Sequence, residues 1–247
     1  MEWKLIHLQE TDSTNRWLRQ WADTQPASAC AVADAQPSSV CVVADYQSAG
    51  RGCGTNRWES ERGQNLLFSL LLHPERMAAN RQFQLSMAVS LAISETLDQI
   101  VGDISIKWPN DIYWRGGKIC GILIEHTLQG AFIKDSIVGV GLNVNQQQFI
   151  SDAPNPVSLW QITGHTTGRK QLLSSILQRM DSELRSDDLR RRYMSRLYRR
   201  KGLHPYVDAG GAFMAQIADV TDDGHLLLTD DNGRERRYAF KEVQFVI

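Results

Sequence analysis

The stretch from Ala44 to Ser60 holds the residues best suited to chemistry. Gly50, Gly52 and Gly54 alternate with Arg51 and Cys53, and Arg57 and Trp58 follow. Glycines so spaced let a backbone wrap closely around a ligand and present its N–H groups. The guanidinium groups offer charge to a phosphate or carboxylate, and the indole offers a flat apolar wall. The chemistry this predicts is anion binding. No Gly-Lys-Ser/Thr follows, so the loop is not a P-loop, and its glycine spacing departs from the dinucleotide-binding fingerprint. A surface loop with glycines for turns and charges for solubility has the same local composition, so the loop alone assigns no function.

Other residues could serve the same chemistry. Thr11-Asp12-Ser13-Thr14-Asn15 is a cluster of helix-capping residues. Its two hydroxyls at a helix N-terminus also suit a polar ligand group. Lys107 precedes the turn Pro109-Asn110-Asp111, and Lys118 follows the flexible Gly116-Gly117. A lysine entering an apolar strand needs an anionic partner or a path to solvent. Asn110 and Asp111 read locally as turn residues. Asn143 and Asn145 flank Val144 after a strand with two glycines, where a ligand or another backbone approaches closely.

The elements that must position these residues follow from hydrophobic spacing. Leu5, Ile6 and Leu8 predict a first strand, and Trp17, Leu18, Trp21 and Ala22 stripe a helix after the capping cluster. The glycine loop lies between two buried strands, 40–44 and 66–72. Leu85, Ala88, Val89, Ala92, Ile93, Leu97 and Ile100 stripe a helix over 83–101. Strands follow at 104–107 and 119–125, with a hairpin turn at 115–117, and another runs from 135 towards Asn145. Residues 146–168 read as loop. Leu172, Leu173, Ile176, Leu177, Met180 and Leu184 stripe one further helix; Leu189, Tyr193, Leu197 and Tyr198 stripe the last. That last helix carries Arg190, Arg191, Arg192, Arg196, Arg199, Arg200 and Lys201. Such a run predicts a solvated face, with an acidic partner or nucleic acid as the sharper options. From Leu203 the pattern becomes short strands at 213–220, 225–229, 237–240 and 243–246, with a hairpin turn at Asp230-Asp231-Asn232-Gly233, and predicts a small β-barrel docked on the main domain.

The totals narrow the class. The 247 residues suffice for a large domain plus a small one. A formal net charge of -1 excludes a global field that would draw the chain to nucleic acid or membrane. Cys30, Cys41, Cys53 and Cys120 show no metal-type spacing and read as free thiols. No leader segment and no membrane-spanning apolar run is visible, so a cytoplasmic protein is expected.

Taken together, the segments resemble the biotin–protein ligases, and the resemblance covers nearly the whole chain. It rests on Thr11-Asp-Ser-Thr-Asn15, on Gln47-Ser-Ala-Gly-Arg-Gly through Trp58, and on Lys107-Trp-Pro-Asn-Asp111. Lys118-Ile-Cys-Gly-Ile-Leu-Ile-Glu125 and Gly139 to Asn143 complete it. The resemblance implies an α+β fold: a mixed central β-sheet flanked by helices as the catalytic domain over 1–202, and a small SH3-like β-barrel over 203–247. It implies a two-step ligase that joins biotin to ATP as biotinyl-5'-AMP, with Mg²⁺ on the phosphates, then passes biotin to a lysine of a biotin carboxyl carrier protein. A lipoate–protein ligase is the alternative.

By the same resemblance, Lys118, Arg51 and Lys107 would be catalytic, with Lys118 bridging the biotin carboxylate and the phosphate. Ser13, Thr14, Asn15, Gln47, Gly50 and Gly121 would join Arg51 and Lys118 around biotin. Gly52, Cys53, Trp58, Asn110 and Asn143 would join Arg51, Lys107 and Lys118 around the adenylate. No protein metal ligands are assigned, and Asp111 is left between orienting a lysine and meeting Mg²⁺. The family's loop usually has arginines where Cys53 and Asn56 stand, so a looser hold on the adenylate is expected, and Cys53 is a candidate reactive thiol. No DNA-binding segment precedes the catalytic one, so neither DNA nor membrane is expected as a partner, and the chain should act as a monomer or homodimer.

Overall fold

The computed structural model describes residues 2–25, 39–151 and 154–247. The main sheet is built from β1 (Trp3–Leu8), β2 (Ser39–Ala44), β3 (Leu66–Leu72), β4 (Ile104–Lys107), β5 (Asp111–Trp114), β6 (Gly117–Gln129) and β7 (Phe132–Leu142). Its order is β1-β2-β3-β7-β6-β5-β4. β1 and β2 run parallel and every other neighbouring pair is antiparallel, so the sheet is mixed.

Period-two alternation along β3 assigns its two faces. Leu66, Phe68, Leu70 and Leu72 join the main core with α2 (Phe83–Val101), α4 (Arg169–Glu183) and α5 (Leu189–Ser195). Leu71 packs with Leu18 of α1 (Thr14–Thr24), and Ser69 meets the start of the same helix. The face under α1 therefore carries a second, smaller apolar cluster with Ser69 beside it, while the opposite face is the main apolar core. The expected stripe of α1 holds: Leu18 is fully buried, with Trp17, Trp21 and Ala22 packed beside it. In α2 the stripe is buried except at its end, where Ile100 is 42% exposed.

The C-terminal strands β8 (His204–Asp208), β9 (Gly211–Val220), β10 (Leu226–Asp230), β11 (Glu235–Tyr238) and β12 (Gln244–Phe245) form a separate antiparallel sheet, the small SH3-like barrel. It docks through the motif turn of the main domain. Trp108 Nε1 donates to the Gly224 carbonyl at 3.0 Å, and the Trp108 ring meets Phe240 edge-on at 6.1 Å. No described helix is long and apolar enough to cross a membrane.

Several expectations need correction. β6 runs to Gln129, and β7 starts at Phe132 and ends at Leu142, because the antiparallel register between the two continues past the apolar run. The loop at 146–168 contains a short helix, α3 (Leu159–Thr163), started by a capping box between Ser158 and Gln161. α5 stops at Ser195, short of Tyr198, since the segment 196–198 pairs with β4: Ile106 N–H donates to the Arg196 carbonyl, and Tyr198 N–H to that of Ile106, each at 2.8 Å. β11 begins at Glu235 and ends at Tyr238, and β12 spans only two residues. The arginine run is solvated only in part: Arg190, Arg191, Arg200 and Lys201 are exposed, while three of its members reach carboxylates on other elements. Arg192 bridges Glu95 at 2.6 Å and Glu183 at 2.8 Å, Arg196 reaches Asp98 at 3.2 Å, and Arg190 reaches Asp219 of the barrel at 2.5 Å. Long-range carboxylates thus neutralise Arg190, Arg192 and Arg196. Cys41 and Cys120 are buried free thiols, Cys53 is half-exposed on the glycine loop, and Cys30 lies outside the described residues.

Candidate active site

The start of α1 is tied into the sheet by side chains. Ser13 holds the N-cap position in extended backbone (φ -157°), with no capping bond from its side chain. Gln47 acts instead: its Oε1 accepts from Thr14 N at 2.7 Å and from Thr14 Oγ1 at 3.0 Å. The capping role expected of the local hydroxyls thus falls to a residue on the glycine loop. Ser69 Oγ lies 2.7 Å from both Thr14 Oγ1 and Asn15 Oδ1. Asn15 Nδ2 donates to Glu125 Oε2 at 2.8 Å, and Arg51 Nη2 donates to Glu125 Oε1 at 3.1 Å. An unbroken polar chain therefore runs Gln47–Thr14–Ser69–Asn15–Glu125–Arg51. Ser13, Thr14, Asn15 and Ser69 are all buried.

The Thr14 and Ser69 hydroxyls supply two hydrogens for three oxygen–oxygen contacts. The cluster is one donor short, so it favours a ligand that brings N–H groups.

Next to this chain lies a floor of glycines. Gly121 and Gly141 face each other in register across β6 and β7, and Gly139 lies one step along. The Trp58 indole sits on that floor. A Cβ at Gly121 would fall 2.8 Å from its ring, and one at Gly141 would fall 2.6 Å from Nε1. At Gly139 a Cβ would overlap the Asn15 amide. Any larger residue at these positions would displace the groups above it, which is why the strand carries glycine here. The loop is clasped by Trp58 N–H donating to the Gly50 carbonyl at 3.0 Å and Gly52 N–H donating to Asn56 at 2.8 Å.

Lys118 enters from the β6 edge. Its ammonium lies 2.7 Å from Asp111 and 5.8 Å from the Trp58 ring. Asp111 is thus the orienting partner of Lys118. Lys107 pairs in register with Asp111 across the β4–β5 hairpin, and its ammonium lies 5.4 Å from the Tyr113 ring and 5.2 Å from Phe245 of the barrel. Burial pushes its pKa below the ordinary lysine range; Asp111 pulls the other way, and the charges of Lys118 and Arg199 add to the depression. Asn110 Nδ2 donates to the Ile122 carbonyl at 3.2 Å and pins the hairpin to β6. Asn143 Nδ2 donates to the Val157 carbonyl at 3.1 Å, while its buried Oδ1 has no partner among the described residues. Asn145 faces away from these groups, bonded to the backbone of Thr167 through both ends of its amide.

The sequence expects fixed cations converging on one cavity, and the structure alters that picture. Arg51 and Lys118 are each held by a carboxylate, Glu125 and Asp111, either of which an anionic ligand would displace. A cavity of about 580 Å³ borders the loop, lined by Gln47, Gly50, Arg57, Trp58 and Gln146 among others, but Arg51, Lys107 and Lys118 do not line it. Arg57 is exposed, and its backbone pairs with that of Arg51 across the loop.

The model of the biotin/lipoate A/B protein ligase family matches residues 23–143. The biotin–[acetyl-CoA-carboxylase] ligase of Paracoccus denitrificans is 32% identical over 173 residues, 67% of this chain and 67% of that protein. The chain belongs to this family. The bifunctional ligase/repressor BirA of Bacillus subtilis is 29% identical over 211 residues, and the match spans 78% of this chain but only 62% of that protein. Among solved structures, the biotin protein ligase from Aquifex aeolicus in complex with biotin and ATP superposes with a TM-score of 0.77. It is 26% identical, and 98% of this chain and 99% of that one are covered.

Against this family background, sequence reasoning missed two members of the polar chain. Ser69 is the only polar residue in Leu-Leu-Phe-Ser-Leu-Leu-Leu, and that isolation was the available signal. Glu125 ends the Lys118–Glu125 segment with no role legible locally, because its partners Asn15 and Arg51 lie 110 and 74 residues away.

Proposed function

We propose that the protein activates biotin with ATP and transfers it to a carrier protein. One biotin carboxylate oxygen attacks the α-phosphorus, the bond to the β-phosphate oxygen breaks, and pyrophosphate leaves. A lysine amine of a biotin carboxyl carrier protein then attacks the carbonyl of biotinyl-5'-AMP and releases AMP. The observation that carries this reading is the juxtaposition of the buried, donor-deficient polar chain with the Lys118–Asp111 pair across the Trp58-covered glycine floor.

Each part suits one part of the reaction. Biotin's ureido group brings two N–H donors and a carbonyl, which match Thr14, Gln47, Ser69 and Asn15. Its apolar rings would lie on the Gly121–Gly141 floor beside Trp58 and Gly50. Lys118, released from Asp111, neutralises the carboxylate and phosphate as they meet, and Arg51 and Lys107 add charge. The Asn143 Oδ1, unpartnered among the described residues, would accept from a donor on the adenine, and Gly52, Cys53 and Asn110 would complete the adenylate side from the loop and the hairpin. Among the described residues no group of three or more His, Cys, Asp or Glu could chelate an ion, so Mg²⁺ would be held chiefly by the nucleotide's own phosphates. The catalytic machinery would lie within 1–202, with 203–247 as the docked barrel.

The polar chain also separates biotin from lipoate. A dithiolane ring has neither N–H nor carbonyl and would leave the buried acceptors unpaired, which strongly penalises binding. The test is acid-dependent pyrophosphate release, with biotin and lipoate in parallel, followed by mass measurement of a carrier domain. Release with biotin and a mass gain on one lysine are expected; release with lipoate alone would refute the assignment.

A further inference from the structure

Glu125 joins two parts of the site through one carboxylate. Its Oε2 accepts from the neutral Asn15 amide at 2.8 Å, and its Oε1 from the Arg51 guanidinium at 3.1 Å. These are the partners of its side chain among the described residues. The Asn15 side of the contact is rigid. A Cβ at Gly139 would fall 2.2 Å from Asn15 Oδ1, so the amide rests directly on the strand backbone. One turn along α1, Arg19 donates to Thr127 Oγ1 at 2.6 Å and to the Glu125 carbonyl at 3.5 Å, which fixes the helix on β6. The Arg51 side is loose. It belongs to the exposed glycine loop, and the side chains of the ion pair are 40% and 35% exposed, where such pairs are weak.

The loose partner is held away from the other cation of the site. Lys118 and Glu125 are seven residues apart on β6, and strand geometry separates their backbones by roughly 20 Å. Asp111 holds Lys118 at one end of this span, and Glu125 draws Arg51 towards the other. A reaction that brings a carboxylate to a phosphate needs both positive charges in one place. Arg51 must therefore leave Glu125, and the carboxylate it leaves keeps the Asn15 amide as its remaining partner.

We propose that Glu125 is a positioning residue that parks Arg51 at the ureido end of the site and releases it once that end is filled. This rests on the ligase reading above and deepens it, by linking the two substrates through one carboxylate. A ureido N–H donated to Asn15 Oδ1 polarises the amide and strengthens its Nδ2–H bond to Glu125. The carboxylate then gives up Arg51 at lower cost, and the guanidinium is free to join Lys118 on the reacting anions. Filling the ureido end therefore raises affinity for the nucleotide, and linkage requires the reverse by the same factor.

The test is calorimetry on the full chain, wild type and Glu125→Gln, with two ligands that cannot react. Biotinol carries the ureido ring without the carboxylate, and α,β-methylene-ATP cannot release pyrophosphate. In the wild type, saturating biotinol should tighten the nucleotide analogue's Kd by about fivefold. In E125Q no ion pair has to be broken, so the analogue alone should bind about threefold tighter than to wild type. The biotinol effect should then shrink to within twofold of none. A purely structural role for Glu125 predicts no such tightening. Unchanged analogue affinity in E125Q, or an unchanged biotinol effect, would overturn the proposal. So would a proportional loss for both ligands, which would make Glu125 a strut under Asn15. A wild-type protein that binds neither biotin nor ATP and releases no pyrophosphate would overturn the ligase reading itself, whereas normal wild-type turnover with either E125Q failure removes only the role of Glu125.

Discussion

Replacing Ser69 by alanine tests the polar chain at its middle. Ser69 is fully buried, and its hydroxyl lies 2.7 Å from Thr14 Oγ1 and Asn15 Oδ1. The serine hydrogen can serve only one of these oxygens at a time, while the Thr14 hydroxyl serves Gln47. The substitution therefore removes one satisfied hydrogen bond, not two, and strands the Asn15 Oδ1 acceptor in the interior. One such loss costs about 1–1.5 kcal/mol. For a chain of this size that lowers Tm by roughly 2–6 °C. The site should suffer more than the fold, because Asn15 and Thr14 lose the group that aligns them, and the biotin Kd should weaken by about tenfold. Thermal unfolding and calorimetric titration measure both. A double-mutant cycle with Thr14→Val should give a coupling of at least about 0.5 kcal/mol. An S69A protein of wild-type stability and wild-type biotin affinity would show that the residues from Gln47 to Glu125 do not act as one unit.

Lys118→Ala should cut biotinyl-AMP formation by about three orders of magnitude with an intact fold, measured as single-turnover pyrophosphate release; retained activity would remove Lys118 from the mechanism. Gly141→Ala forces the Trp58 indole off the floor, since the new Cβ would fall 2.6 Å from Nε1. Overpacking of this kind costs about 1–3 kcal/mol, and because the loop can lift, the cost should appear as weaker biotin binding with little change in Tm. Lys107 gives a pH signature. Burial holds its pKa in the free protein below the ordinary lysine range, and a bound phosphate raises it. Binding therefore takes up a proton between the two values, so ATP affinity is flat at lower pH and falls as pH rises through the free-state pKa. Lys107→Arg, which stays protonated, should abolish that fall; titrations across the alkaline range in buffers of different ionisation enthalpy would check it.

Much of this protein was decided by local sequence. The stripe of α1, the buried run of β3 and the long helix 83–101 are readable because hydrophobic periodicity is written within a few turns of chain. The glycine–arginine loop and the Lys107–Asp111 and Lys118–Glu125 segments likewise announce anion chemistry through residue type. The tertiary structure alone decided which charges are free and which are spent. Arg190, Arg192 and Arg196 looked available until Glu95, Asp98, Glu183 and Asp219 met them from other elements. Arg51 and Lys118 looked like open cations until strand register brought Glu125 and Asp111 to them. Ser69 joined the polar chain only because α1 crosses β3. Backbone preference and periodicity act over neighbouring residues, whereas ion pairs and hydrogen bonds form between whichever groups the fold places within about 3 Å, and no spacing along the chain encodes that proximity.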